Sequence, residues 1–276
     1  MDKIKVSVLM SIYFKEKPEY FRESLESILN QTYFPDEIVL VKDGPLTNEL
    51  EEVIKEYKEK LNIKIVPLEK NVGLGLALRE GVLHCSNEII IRMDTDDIAV
   101  KTRIEEQVKI FKKDKEIGIV GSNAYNFENV VGDLETKSIF PKEDLEIRKF
   151  SKRRCPFLHP TVAFKKSIVL KVGNYNNLLW FEDYDIFLRI LKISKGYNIQ
   201  IPLLYFRSNS DLYKRRGGIE YIKREIKALT KFYKDGNMNL YYYLTNILIR
   251  FGVRICGNNL RMVIYKKMLR KKDDNK

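Results

Sequence analysis

The sequence predicts an α/β protein built on a mostly parallel central sheet flanked by helices, with a basic helical C-terminal extension. Three observations predict it. Short apolar runs of strand length, at residues 4–12, 37–41, 63–66 and 89–91, alternate with stretches of helical periodicity. The links between them are short and carry turn residues such as Lys42-Asp43-Gly44-Pro45. Finally, 17 of the 50 Lys and Arg but only 5 of the 38 Asp and Glu fall within residues 213–276, which therefore hold the whole net charge of +12.

Ile4-Lys-Val-Ser-Val-Leu-Met-Ser-Ile12 reads as the first strand. Pro18 stands where a helix begins, its fixed φ suiting the first turn, and Phe21, Leu25, Ile28 and Leu29 follow at helical spacing. Residues 37–41 form a second buried strand, 47–60 a charged surface helix and 63–66 a third strand. Asn71-Val-Gly73-Leu-Gly75 opens a helix reaching about His84, and Ile89-Ile-Ile91 reads as a fully buried strand. Right-handed crossovers put the loops after strands one, two and four on one sheet edge, so residues 11–13, 43–44 and 94–97 face a common crevice. Beyond a helix from about Val100 to Lys113 the rhythm breaks. Residues 117–120 form a strand, 125–139 a ribbon turning at Gly132, 155–160 a rigid extended linker and 161–164 another strand. Leu179-Trp-Phe-Glu-Asp183 leads into a helix with Ile186, Phe187, Ile190 and Leu191 on its apolar face, followed by two short strands near Ile199 and Leu204.

Composition excludes several classes. With 44% hydrophobic and 32% charged residues the chain is that of an ordinary globular protein, long enough to bury a substantial core. Cys85, Cys155 and Cys256 are widely spaced and odd in number, which is neither a disulfide framework nor a CxxC metal pair and fits a reducing cytosol. No apolar run approaches the roughly 18 residues of a spanning helix, and the N-terminus lacks a signal-peptide pattern. The two histidines have no Ser or Cys partner suggesting a triad, and neither a Walker A sequence nor a GxGxxG is present.

The chemistry concentrates in two acidic groups. Asp94-Thr-Asp96-Asp97 follows the buried strand at residues 89–91, and carboxylates so close repel unless a cation lies between them; their hard oxygens suit Mg²⁺ or Mn²⁺. The same residues also make a solvated turn that caps the next helix. Glu182-Asp183 follows Trp180-Phe181 at a helix start, where a carboxylate serves either as a general base or as an N-terminal cap. Ser11 and Tyr13 offer a hydroxyl and a ring to a nucleotide base, or plain loop packing. Asp43 accepts from a base N–H or caps the second helix. Asn71-Val-Gly73-Leu-Gly75 with Arg79 permits close approach to phosphate, though glycines also serve ordinary turns. Lys214-Arg215-Arg216-Gly217 is either a cationic loop over a diphosphate or a solvated basic turn.

Taken in order, Val8-Leu-Met-Ser-Ile-Tyr13, Ser27-Ile-Leu-Asn-Gln-Thr32, Ile38-Val-Leu-Val-Lys-Asp-Gly44, Asn71-Val-Gly-Leu-Gly75, Met93-Asp-Thr-Asp-Asp97 with Arg103 and Gln107, His159-Pro-Thr161 and Glu182-Asp-Tyr-Asp185 resemble a family 2 glycosyltransferase of the GT-A fold, of the bacterial capsule and exopolysaccharide type. The resemblance covers residues 4 to about 218. It implies a Rossmann-like sheet and an inverting, metal-dependent transfer of one sugar from a nucleotide-sugar, with UDP favoured, to a saccharide or lipid-linked acceptor. On that pattern Ser11, Tyr13 and Asp43 hold the nucleoside, Arg79 lies near uracil or phosphate, Asp94 and Asp96 are the DxD pair for Mn²⁺ or Mg²⁺, and Asp183 is the base. Arg215 or Arg216 stabilises the departing diphosphate. The Gln-x-x-Arg-Trp signature of processive synthases is absent, which implies single additions. Two other classes fit parts of the chain. A sugar nucleotidyltransferase shares the sheet, but residues 11–15 lack its glycine-rich basic loop. A non-catalytic nucleotide-sugar or nucleic-acid binding module is the other.

The expected organisation is a catalytic domain over residues 1–218, divided near residue 120 into donor and acceptor halves, and a basic amphipathic helical extension over 219–276. In residues 240–272 apolar residues interleave with Arg250, Arg254, Arg261, Lys266 and Lys267, a pattern suited to an anionic membrane surface. Packing on the catalytic domain or on a second subunit is the alternative, so a homo-oligomer is left open. Nucleic acid is not expected as a partner, because no binding motif accompanies the charge. The expected location is the cytoplasmic face of the membrane.

Overall fold

The computed structural model describes residues 3–208, 218–255 and 271–272. The alternation of apolar runs and amphipathic helices becomes β1 (Val6–Ile12), α1 (Pro18–Leu29), β2 (Glu37–Lys42), α2 (Asn48–Lys58), β3 (Ile63–Pro67), α3 (Leu74–His84) and β4 (Ile89–Arg92). β1 lies between β2 and β4 and is parallel to both, with Ile12 opposite Lys42 and Leu9 opposite Arg92. β3 adds parallel to β2. The carboxyl ends of β1, β2 and β4 thus share one edge, as the crossover rule requires.

Side chains alternate across the strands. Val6, Val8, Met10 and Ile12 of β1 enter a core shared with α1, α2 and α4 (Arg103–Lys113), while Leu9 faces a second core with α3 and α7 (Glu182–Ile193). Burial on both faces is the reason these strands are apolar throughout.

The other half of the sheet is mixed. β5 (Ile98–Ala99) pairs antiparallel with β9 (Lys195–Arg207), and this pairing takes residues 98–100 out of the expected helix, which starts at Arg103. β6 (Ile117–Phe127) is longer than expected and runs antiparallel to β7 (Thr136–Ser138) and to β8 (Ala163–Lys165). The two short strands expected near Ile199 and Leu204 are one strand, β9, parallel to β6 with irregular register. β10 (Lys271–Lys272) adds to β7. Two short helices, α5 (Asp144–Ser151) and α6 (Lys166–Lys171), lie where no helix was expected. The expected extended linker is instead bent and buried: Phe157 packs edge-on against Phe187, and His159–Thr161 form a turn of 3₁₀ helix.

The extension contributes α8 (Ile219–Lys234) and α9 (Leu240–Ile255). They pack on the outer face of α7 through Phe181, Tyr184, Leu188, Tyr221, Leu229, Phe232 and Met238. Arg250 and Arg254 turn inward to the buried Glu225, at 2.8 and 2.9 Å, instead of outward as their interleaving suggested. Arg261, Lys266 and Lys267 lie outside the described residues.

Candidate active site

β4 delivers the acidic loop to the sheet edge. Carboxylate oxygens of Asp94, Asp96 and Asp97 lie within 4.8 Å of one another. Asp94 is held by an ion pair with Arg92, whose side chain is buried, and its backbone carbonyl accepts from Ser24 Oγ at 3.1 Å. Asp97 is fully buried; its Oδ1 accepts from the Arg207 N–H at 2.8 Å, while Oδ2 has no partner. Burial, then Asp96 and Asp94, raises the Asp97 carboxyl well above its ordinary range. Asp96 is pushed up to about 7 by burial first and then by Asp94 and Glu16. A fourth carboxylate enters from the loop after β1, where Glu16 accepts from Thr95 Oγ1 at 2.5 Å. An all-oxygen cluster with an orphaned buried oxygen and mutually raised acids fits a hard divalent cation.

The nucleoside residues named from sequence meet at the same edge. The Asp43 backbone N–H donates to Ile12 O, tying the ends of β1 and β2 together. Its carboxylate accepts from the N–H groups of Val72 and Gly73 at 2.7 and 3.1 Å, so it caps the entry to α3 and not the second helix as the alternative expected; α2 is capped by Thr47. Each carboxylate oxygen retains capacity for a further donor. Ser11 is half-buried on β1 and Tyr13 exposed in the loop beyond it. Gly73 has φ of 89°, the left-handed region that favours glycine, and Gly75 lies where an added Cβ would come within 2.9 Å of Glu182 Cβ. Gly75 therefore lets α3 approach α7, and Val72, Gly73, Gly75 and Leu76 line a cleft with residues 176–179 and Glu182. Arg79 reaches across to donate to Tyr175 O at 2.9 Å.

Asp183 stands in the first turn of α7. Its Oδ2 is 3.9 Å from Cys155 Sγ. Glu182 beside it is buried, with Oε2 unpartnered, and is pushed up to about 7 by burial and by Asp183. Burial raises the Tyr175 hydroxyl; Arg92 opposes the shift, and Asp183, Glu182 and Asp94 add to it. Arg215 and Arg216 lie outside the described residues.

Sequence reasoning missed Glu16, Arg92 and Arg207. Arg207 ends β9, donates Nε to Asp96 O at 2.8 Å, pairs with Glu23 and lies 3.7 Å from the Tyr20 ring centroid. Its basic character in a strand-like run was the available signal. Arg103 and Gln107, quoted only as motif letters, are buried scaffolding that bonds Arg92 O and Thr161 O at 2.6 and 2.7 Å.

The profile of Glycosyl transferase family 2 matches residues 7–173. The chain belongs to this family. Among relatives of this family 2 glycosyltransferase, UDP-Gal:alpha-D-GlcNAc-diphosphoundecaprenol beta-1,3-galactosyltransferase of Escherichia coli is 40% identical over 271 residues, 98% of each chain. Amylovoran biosynthesis glycosyltransferase AmsE of Erwinia amylovora is 38% identical over 222 residues, 80% of this chain and 83% of that one. The crystal structure of S. aureus TarS 1-349 in complex with UDP-GlcNAc superposes with a TM-score of 0.70 at 17% identity, covering 96% of this chain and 78% of that one. That likeness is one of fold, and the fold is GT-A.

Proposed function

We propose that this glycosyltransferase is inverting and metal-dependent, moving one hexosyl unit from a UDP-sugar to a saccharide or lipid-linked acceptor in surface polysaccharide synthesis. The observation that supports it is the cluster of Asp94, Asp96 and Asp97 carboxylates within 4.8 Å of one another after β4, with Glu182 and Asp183 supplied separately by the first turn of α7. Single displacement needs a cationic seat for the leaving group and a separate base for the nucleophile. The activity named for the E. coli relative, which spans nearly all of both chains, supports the donor and acceptor classes.

On this reading Ser11, Tyr13 and Asp43 bind the nucleoside and Arg79 lies beside it, with Arg215 or Arg216 at the diphosphate. Asp94 and Asp96 hold Mn²⁺ or Mg²⁺, which when bound supplies positive charge to the departing diphosphate. Arg92 and Arg207 keep that acidic loop in shape through Asp94 and Asp97. Asp183 takes the proton of the acceptor hydroxyl as its oxygen bonds to the anomeric carbon, and the bond from that carbon to the UDP oxygen breaks on the opposite face. Residues 1–218 are the catalytic domain and 219–276 the extension. Among the described residues no helix is long and apolar enough to cross a membrane. α9 nevertheless exposes Leu240, Tyr241, Leu244, Leu248 and Phe251, which supports peripheral seating on the inner membrane face.

Two substitutions test the reading. Asp183→Asn is expected to abolish transfer while UDP-sugar affinity, measured by calorimetry with Mn²⁺, stays within about twofold. Asp96→Ala is expected to remove the Mn²⁺-dependent part of that affinity. Normal turnover by Asp183→Asn sinks the base assignment, and equal affinity with and without Mn²⁺ sinks the metal site.

A further inference from the structure

Residues 152–154, Lys-Arg-Arg, lie between the end of α5 and Cys155. The turn is unusually well held. Three successive carbonyls are each taken by a side chain from another element: Ser151 O by the Tyr184 hydroxyl, Lys152 O by Asn246 Nδ2 at 2.8 Å, and Arg153 O by Arg250 Nη2 at 2.6 Å. α7 and α9 thus fix the backbone, and with it the direction of the basic side chains.

Those side chains converge. Lys152 Nζ and Arg153 Cζ lie 5.7 and 4.9 Å from the ring centroid of Tyr242 on α9. Two like charges brought to one ring repel each other. Among the described residues neither is in an ion pair, whereas Arg250 and Arg254 nearby are both matched to Glu225. Arg154, half-buried, adds to the positive field, and burial together with Arg250 lowers its pKa. The next residue along the chain is Cys155, whose sulfur is 3.9 Å from Asp183. Lys152 and Arg153 precede Cys155 by three and two residues, so the paired cations belong to the same turn that reaches Asp183.

We propose that Lys152 and Arg153 form the subsite for a phosphate or diphosphate ester on the acceptor, beside the hydroxyl that Asp183 deprotonates. The assignment rests on Asp183 marking the acceptor side. A fixed cationic pair on that turn recognises an anionic sugar phosphate through charge-assisted hydrogen bonds and leaves the donor untouched. The neighbouring exposed apolar face of α9 accommodates the lipid end of such an ester.

The test uses the full chain saturated with UDP and Mn²⁺, so that the donor site is filled, and no membranes. Binding of octyl diphosphate and of octyl β-glucoside is measured for the wild type and for the Lys152→Gln/Arg153→Gln variant. The wild type is expected to bind octyl diphosphate, and the variant to bind it about tenfold or more weakly, with octyl glucoside affinity and melting temperature unchanged. If the double variant does not fold, Arg153→Gln at an exposed position carries the comparison. No binding of octyl diphosphate by the wild type, or equal binding by variant and wild type, overturns the subsite. In a separate arm with phosphatidylglycerol vesicles and no octyl diphosphate, weaker vesicle binding by a variant that still binds octyl diphosphate like the wild type also overturns it and assigns the cations to lipid headgroups. Asp183→Asn is expected to bind octyl diphosphate normally, so a failure of the base assignment is read separately, from turnover.

Discussion

Asp183 and Glu182 are adjacent carboxylates with different surroundings. Glu182 is walled in by Gly75 and the N-terminal end of α3, and its folded pKa of about 7 is raised by burial and then by Asp183. A carboxyl raised on folding binds more protons folded than unfolded, so its contribution to stability is fully present below the unfolded pKa and is lost as pH rises toward about 7. Glu182→Gln removes that titration. Its melting temperature relative to the wild type is therefore expected to rise between about pH 4.5 and pH 7 and to level off above; a difference flat with pH contradicts the assignment. The neighbouring Trp180 is another residue whose role depends on its surroundings. It adopts φ of 73°, uncommon for a bulky residue, and stacks on Tyr221 at 5.2 Å, joining the loop before Asp183 to α8.

α8 and α9 are structural partners of the site as well as an appendage to it. They bury Tyr184 and Leu188 on the back of the helix that carries Asp183, and Glu225 closes the interface by accepting from Arg250 and Arg254 together. Removing one member of a buried ionic group leaves the others uncompensated, typically at 3–5 kcal/mol. Glu225→Ala is expected to lower stability by about that amount in denaturant melts and to reduce transfer, because the base helix loses its support. A loss under about 1 kcal/mol is inconsistent with this closure. Charge patterning suited these arginines to an anionic lipid surface and left packing on the catalytic domain open; the structure shows the packing. Residues on opposite faces of one helix are equally basic in sequence, and only the packing of α9 against α8 separates them.

For the whole molecule, the acidic loop lies at the carboxyl end of β4, Asp183 opens α7, and α8 and α9 pack on the outer face of α7. On the membrane reading proposed above, the exposed stripe of Leu240, Tyr241, Leu244, Leu248 and Phe251 is the surface that meets lipid. Leu244→Glu/Leu248→Glu is expected to abolish co-flotation with phosphatidylglycerol liposomes while leaving transfer to a soluble acceptor unchanged. Flotation equal to the wild type rejects the membrane role of α9.

Local periodicity was enough to lay out β1 to β4 and their helices, because a strand buried on both faces is apolar at every position and needs no distant partner to declare itself. The shared edge followed from crossover handedness, and the two acidic groups stood out through the ordered set of motifs around them, since acids alone also make turns and caps. What the tertiary structure decided were the partners. Glu16 reaches Thr95 across 79 positions, and Arg207 reaches Glu23 across 184. No local pattern carries such pairings. The same holds for Asp43, whose carboxylate caps α3, for the merging of two expected strands into β9, and for the inward turn of Arg250 and Arg254. Each depends on which surface another element covers, and that is settled only when the chain closes on itself.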